Sequence, residues 1–143
     1  MNNVLITIRG RQKYCDRDEW DTTEFITEGV FESFPGGCRI SYDESSEIGA
    51  ENVKSVLTIT DAIRAQIVRT GKVSSQMIVE KGKRNNCLYA TPEGDFLLGI
   101  YGKDVKIEFK EHKSEIYLCY TLDVNSNPIS ENKMEIKIKE IKA

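Results

Sequence analysis

One arginine and one glutamate stand where the hydrophobic pattern calls for apolar residues. Arg69 continues the face of Ile63, Ala65 and Ile67, and Glu44 continues the face of Ile40 and Tyr42. A charge on an inward face needs a counter-charge, water or a ligand, because an unpaired buried charge is costly. A guanidinium there can hold a carboxylate or phosphate through two parallel N–H donors. Glu44 can orient an amine or pair with Arg69. The same faces carry Ser75, Met77, Thr91 and the phenols of Tyr42, Tyr89 and Tyr120. The candidate ligand-binding set is therefore Glu44, Arg69, Tyr42, Ser75, Met77, Tyr89, Thr91 and Tyr120. A structural reading competes with it. Both charges fall at strand ends, where long side chains reach back to water or form an ion pair. The hydroxyls can be satisfied by nearby backbone, and the tyrosines can serve as core.

Little else offers catalytic material. The single histidine, His112, lies in the polar turn Glu111-His112-Lys113, so a histidine-based metal site or nucleophile system lacks its parts. The four cysteines, Cys15, Cys38, Cys87 and Cys119, include no Cys-x-x-Cys pair. Free thiols are expected of them, and no flanking sequence marks one as a nucleophile. Gly99, Gly102 and Lys103 lack the strand-to-helix context of a phosphate loop. Lys81-Gly82-Lys83-Arg84 reads as a solvated hairpin tip, since no second basic patch supports phosphate contact. Glu24, Glu28 and Glu32 read as a solvated strand face rather than a cation site. Trp20, in an otherwise polar run, is expected to plug a barrel end. No metal and no cofactor is expected.

These residues must be positioned by strands. The chain alternates short β-patterned runs with turn signals, among them Pro35-Gly36-Gly37, Thr70-Gly71, Pro92-Glu93-Gly94, Gly102-Lys103-Asp104 and Asn125-Ser126-Asn127-Pro128. Apolar residues recur at every second position: Val4, Ile6 and Ile8; Phe25 and Phe31; Cys38, Ile40 and Tyr42; Val53, Leu57 and Ile59; Val73, Met77 and Val79; Cys87 and Tyr89. The pattern resumes at Phe96, Leu98 and Ile100, at Val105, Ile107 and Phe109, at Ile116, Leu118, Tyr120 and Leu122, and at Met134, Ile136 and Ile138. That is ten or eleven strands. The stretch Glu44 to Asn52 reads as a loop. Consecutive hairpins favour an all-β, antiparallel, up-and-down barrel over a two-sheet sandwich, and closure removes the exposed strand edges.

At 143 residues, 39% hydrophobic and 30% charged, the chain fits one domain over residues 1–143 with a core of adequate size. A net charge of −3 gives no electrostatic reason to expect a nucleic-acid or anionic-membrane partner. No run approaches a membrane span. The apolar stretch in Met1 to Arg9 is short for a secretory core, so the cytoplasm is the expected compartment.

Two longer stretches, Arg69-Thr70-Gly71-Lys72-Val73-Ser74-Ser75-Gln76-Met77-Ile78-Val79-Glu80-Lys81-Gly82 and Leu88-Tyr89-Ala90-Thr91-Pro92-Glu93-Gly94-Asp95-Phe96, carry a family resemblance. Phe25-Ile26-Thr27-Glu28-Gly29, Ile40-Ser41-Tyr42-Asp43-Glu44 and Tyr120-Thr121-Leu122-Asp123-Val124 fit the same pattern. Together they resemble the YwiB-like family of bacterial proteins, a domain of unknown function grouped with the calycin β-barrels. The resemblance implies a lipocalin-like barrel in a bacterial cytoplasm and no known activity, catalytic residue or ligand.

The functional expectation is a barrel that binds a small polar or anionic ligand in its interior. The alternative is a protein-interaction or regulatory module with a filled barrel, no ligand and a homodimer contact. An enzyme ranks last, with Glu44 as a base beside Arg69 as the only pairing on offer.

Overall fold

The computed structural model describes residues 2–43, 53–71, 74–110 and 112–141. These form ten strands: β1 (Asn2–Tyr14), β2 (Asp21–Phe34), β3 (Gly37–Asp43), β4 (Val53–Thr60), β5 (Arg64–Gly71), β6 (Ser74–Glu80), β7 (Arg84–Thr91), β8 (Gly94–Lys110), β9 (Lys113–Val124) and β10 (Asn127–Glu140). Each strand pairs with its neighbours in sequence, and β10 returns to β1, closing the barrel. All ten pairings are antiparallel. Among the described residues no helix is long and apolar enough to cross a membrane.

The two-residue period decides what fills the interior. Ile6, Ile40, Leu57, Ile59, Val79, Ile116, Leu118 and Ile136 are almost fully buried and form one continuous core. Most are β-branched, which suits both the pleated backbone and interior packing. They occupy the end of the barrel that holds the start of β1, the finish of β10 and the β2–β3, β4–β5, β6–β7 and β8–β9 turns. Ile26, on the opposite parity of β2, is 58% exposed on the outer wall.

The strand phases expected from the pattern hold, with four departures. Gly102-Lys103-Asp104 is not a turn. Strand β8 runs through it, and the partner register steps from Gly102↔Tyr120 to Asp104↔Cys119, leaving Lys103 as the extra residue of a bulge. A side chain at Gly102 would collide with the backbone of Glu80, because the β6–β7 turn folds onto this point. There Gly82 N–H donates to the Gly102 carbonyl at 2.9 Å, and Gly102 N–H to the Lys83 carbonyl at 3.1 Å. The glycine therefore marks close backbone approach within a strand, which leaves ten strands and not eleven.

Second, Ile63 does not share the inward face of Ala65 and Ile67. Asp61 and Ala62 adopt left-handed backbone (φ 55° and 58°) in a tight turn, and Ile63 is exposed beside them. Alanine is an unusual occupant of that conformation, so the turn carries no composition signal. Third, Phe96 and Phe109 keep the inward parity but stand more than half exposed, beyond the packed interior. Fourth, Trp20 does not fill the barrel. It sits in the β1–β2 connection with the Lys133 ammonium 4.8 Å from its ring centre, a cation–π contact on the outer wall. Val73 lies outside the described residues.

The outer wall is laced with ion pairs. The basic hairpin tip is matched by carboxylates: Lys81 to Asp104 at 3.7 Å, Lys83 to Glu80 at 3.0 Å and Arg84 to Asp123 at 2.7 Å. Arg84 grips Asp123 with two donors, Nε to Oδ2 at 3.0 Å and Nη2 to Oδ1 at 2.7 Å. That pair crosses β8 above Gly99, whose missing side chain leaves room for the guanidinium. The Arg84 hydrogen bond holds the Asp123 carboxyl below the ordinary carboxylate range.

One seam is sparsely zipped. Among the described residues the β6–β7 ladder consists of Ser74↔Ala90 and Ser75↔Tyr89, although β6 continues to Glu80 and β7 begins at Arg84. Past the second pair, the Cys87 sulfur lies against the Leu88 carbonyl of its own strand at 3.7 Å. Roughly half of a strand's amides point toward each neighbour, and exchange protection follows local hydrogen bonding. Native-state hydrogen exchange is expected to show faster exchange at seam-facing amides in Gln76–Glu80 and Arg84–Leu88 than in β9 and β10. Uniform protection around the barrel would contradict the open seam.

Candidate functional site

The other end of the barrel is not packed. There the β1–β2, β7–β8 and β9–β10 connections lie, together with the finish of β3 and β5 and the start of β4 and β6. Above the aliphatic core sits a cavity of about 430 Å³, within the range of small-molecule pockets. Its walls are inward-facing side chains of β1, β2, β3, β5, β6, β7, β8, β9 and β10.

Polarity of the lining follows depth. On β1, β2, β5, β6, β7 and β10, the lining residue nearer the core is apolar or carries sulfur: Ile8, Phe25, Ile67, Met77, Cys87 and Met134. Two or four positions toward the mouth, the same strands carry Gln12, Thr23, Arg69, Ser75, Tyr89 and Asn132. The result is an apolar floor below a polar collar. Strand β8 is apolar at both levels, with Ile100 and Leu98, and β9 reverses the order, with Tyr120 below Leu122.

Arg69 is the one charged residue among the described residues that line the cavity. Its Nη1 donates to the Tyr89 hydroxyl at 3.0 Å, and its guanidinium carbon lies 5.9 Å from the Tyr89 ring centre. The neighbouring strands place Ser55 and Ser75 opposite it. Burial pushes the Tyr120 phenol up to about 12, against the opposing pull of the Arg69 charge. A positive group and a neutral buried phenol thus share the lumen. On the far wall, Asn132 Nδ2 donates to Ser130 Oγ at 3.0 Å and Gln12 Nε2 donates to the same oxygen at 3.4 Å. Tyr42 and Phe25 meet with ring centres 6.2 Å apart, tilted at 50°.

Of the residues singled out by sequence, Tyr42, Arg69, Ser75, Met77, Tyr89 and Tyr120 come together around this one cavity. Thr91 does not join them. Its Oγ1 donates to the Gly94 carbonyl at 2.8 Å and accepts the Glu93 N–H at 3.2 Å, so it closes the β7–β8 turn. Thr91 shares the parity of Cys87 and Tyr89 and so falls on the inner face by count, while the turn draws its hydroxyl to the backbone. Glu44 lies outside the described residues.

Gln12, Thr23, Cys87, Met134 and Asn132 also line the cavity. Their signal was present as parity. Gln12 extends the Val4, Ile6, Ile8 face, and Asn132 precedes the Met134, Ile136, Ile138 face. Polar residues at the tapering ends of strands do not stand out against turn composition, which hid them.

The lining can hold and orient a small molecule. It offers amide, hydroxyl and guanidinium donors around an apolar floor. Among the described residues no group of three metal-ligating side chains converges. The four cysteines are unpaired: Cys15 is exposed and the others are buried. Burial raises the Cys38 thiol to about 11 and also raises that of Cys87, so neither is a ready nucleophile at neutral pH. His112 sits at the opposite end, its Nδ1 2.6 Å from Glu140.

Comparison with known proteins places the architecture. The family described as Domain of unknown function (DUF1934) matches residues 6–136. No curated protein matches the chain in sequence. A solved structure, that of the ywiB protein from Bacillus subtilis, is similar, with a TM-score of 0.83 at 18% identity, covering 99% of this chain and 93% of that one. At that identity the likeness shows the shared barrel fold.

The Tyr120 phenol has a pH consequence. Its folded pKa of about 12 stands above the ordinary value of 10.0. Its contribution is therefore fully present below pH 10 and is lost as pH rises from 10 toward 12. Denaturant unfolding is expected to show stability falling across that window by on the order of 2 kcal/mol from this group. Tyr120→Phe should flatten the fall. An unchanged slope in that variant would show that the phenol is not held neutral by burial.

Proposed function

The chain belongs to the family described as Domain of unknown function (DUF1934), and within that family we propose that it binds a small ligand carrying a polar or anionic group inside its barrel. The observation that carries this reading is the Arg69 guanidinium on the wall of a 430 Å³ cavity, hydrogen-bonded to Tyr89 and flanked by Ser75 and Tyr120. A guanidinium in a low-dielectric lumen recognises a carboxylate or phosphate far better than the same group in water. The Tyr89 hydroxyl, already accepting from Arg69, keeps its own proton to donate to the same anion. Four unpaired thiols support a reducing compartment, the cytoplasm, as the setting.

A protein-interaction role is the second reading, and one feature of the outer wall favours it. Leu88 and Leu97 are cross-strand partners on β7 and β8, each more than half exposed, beside the sparsely zipped β6–β7 seam. A homodimer through that face would show as concentration-dependent sedimentation, abolished in Leu88→Lys.

Thermal unfolding in the presence of a panel of small organic anions tests the first reading. A true ligand at a hundredfold excess over its Kd stabilises by about 2.7 kcal/mol, a rise in Tm on the order of 10 °C. Arg69→Met should weaken binding by roughly 10- to 100-fold, the worth of charge-assisted hydrogen bonds. Arg69→Lys, which keeps the charge and loses the fork, should fall between. Equal shifts in wild type and Arg69→Met would place any binding elsewhere.

A further inference from the structure

We infer that the ligand is an amphiphilic monoanion that enters apolar end first, its body against the sulfur-lined floor and its anionic group at the collar beside Arg69. The inference rests on the lumen-binding reading and adds to it the class and the orientation of the ligand.

Depth orders the chemistry of the lining. Along each of β1, β2, β5, β6, β7 and β10, one step toward the core (two on β1, past Gly10) exchanges a hydrogen-bonding side chain for an apolar or sulfur-bearing one. Alternation fixes which residues face inward, and it does not order them by polarity. That order is a separate property of the sequence, repeated on strands from both halves of the chain. A polar molecule filling the whole cavity would place its hydrogen-bonding groups against Ile67, Met77 and Met134, where nothing replaces the lost water. An apolar body gains by leaving water there. An inverted molecule would drag its anion past the collar to a floor that holds no described cation. The reversal on β9 places the Tyr120 hydroxyl beneath the collar, within the influence of Arg69. It deepens the polar ring on one wall and leaves the opposite floor apolar.

The floor also has a particular chemistry. Met77, Met134 and Cys87 are soft and polarisable, and methionine adapts to irregular shapes through unbranched rotors. Selectivity is thus expected to lie in the anionic group, fixed by the forked donor of Arg69, with tolerance for the shape of the apolar body. Beneath the floor, Ile6, Ile59, Ile116 and Ile136 are at most 2% exposed and close the barrel. The body can therefore grow only until it meets them.

Isothermal titration with straight-chain monocarboxylates from butanoate to decanoate tests this, with inorganic phosphate and the length-matched dicarboxylates as controls. Each added methylene should tighten binding by about fourfold until the floor is full, after which affinity should level or fall. The matched dicarboxylate should bind weaker by at least about 100-fold, since its second charge would be buried unpaired. Met77→Phe, which shortens the floor, should cost the longer acids roughly tenfold, more than it costs butanoate, so that the gain per methylene ends at a shorter chain. Circular dichroism and Tm of that variant check that the barrel stands, and Met134→Phe repeats the test from the opposite wall. Affinity that is flat with chain length, or a dicarboxylate as tight as its monoacid, overturns the amphiphile while lumen binding stands. If neither phosphate nor any acid binds, both readings fall together.

Discussion

A closed ladder leaves no strand free to slip. In an open sheet a one-residue register change moves a strand's hydrophobic face to solvent and can be absorbed at an edge. Here β10 is held by β1 along Val4↔Glu140 to Tyr14↔Ser130 as well as by β9, so any slip must propagate around the ring. That closure is the constraint from which the site follows. It forces Ala65, Ile67 and Arg69 onto one inner line and Met77 and Ser75 onto the next, whatever the preference of an arginine for water. Arg69 reaches the lumen because Ile67 must.

Stability and recognition are divided along the barrel axis. The end that carries the start of β1 and the finish of β10 is filled by branched aliphatics packed to exclusion of solvent, with Ile6, Ile40, Ile59 and Leu118 at 0% exposure. Outside it, the Arg84–Asp123 clamp and the bulge at Gly102 tie β6, β7, β8 and β9 together where the β6–β7 ladder lapses. The mouth end gives up that packing. Its side chains leave space, bear polar groups and bond one another in pairs, as Arg69 does with Tyr89 and Asn132 with Ser130. A site built on rigid strands above a packed base keeps its geometry without contributing much to the core.

How much of this could be read from the chain depends on what local pattern can encode. The inner faces of β3 and β4 and the apolar runs of β1 and β10 were legible, because alternation in Cys38-Ile40-Tyr42, Val53-Ser55-Leu57-Ile59, Val4-Ile6-Ile8 and Met134-Ile136-Ile138 is uninterrupted and all of these but the half-buried Met134 are buried. The break expected at Gly102-Lys103-Asp104 was misplaced because a glycine serving close approach to Glu80 looks the same in sequence as a glycine serving a turn. The turn at Asp61-Ala62 was hidden by an alanine in left-handed backbone. For the site, parity found Arg69, Tyr42, Ser75, Met77, Tyr89 and Tyr120. It says nothing about where a barrel stops being packed, so Gln12, Thr23 and Asn132 were not singled out and Thr91 was. Depth along the axis is set by shear and by which ends carry bulk, and both are properties of the assembled ring.

Ligand binding in the barrel requires an occupied lumen with Arg69 turned inward. Diffraction from crystals grown with octanoate measures that directly. Density is expected for one acid inside the barrel, its carboxylate at the Arg69 guanidinium and the Tyr89 hydroxyl, its chain running down between Met77 and Met134. A lumen closed by rearranged side chains, with the guanidinium directed to bulk solvent and octanoate absent or lying on the outer wall, would contradict it.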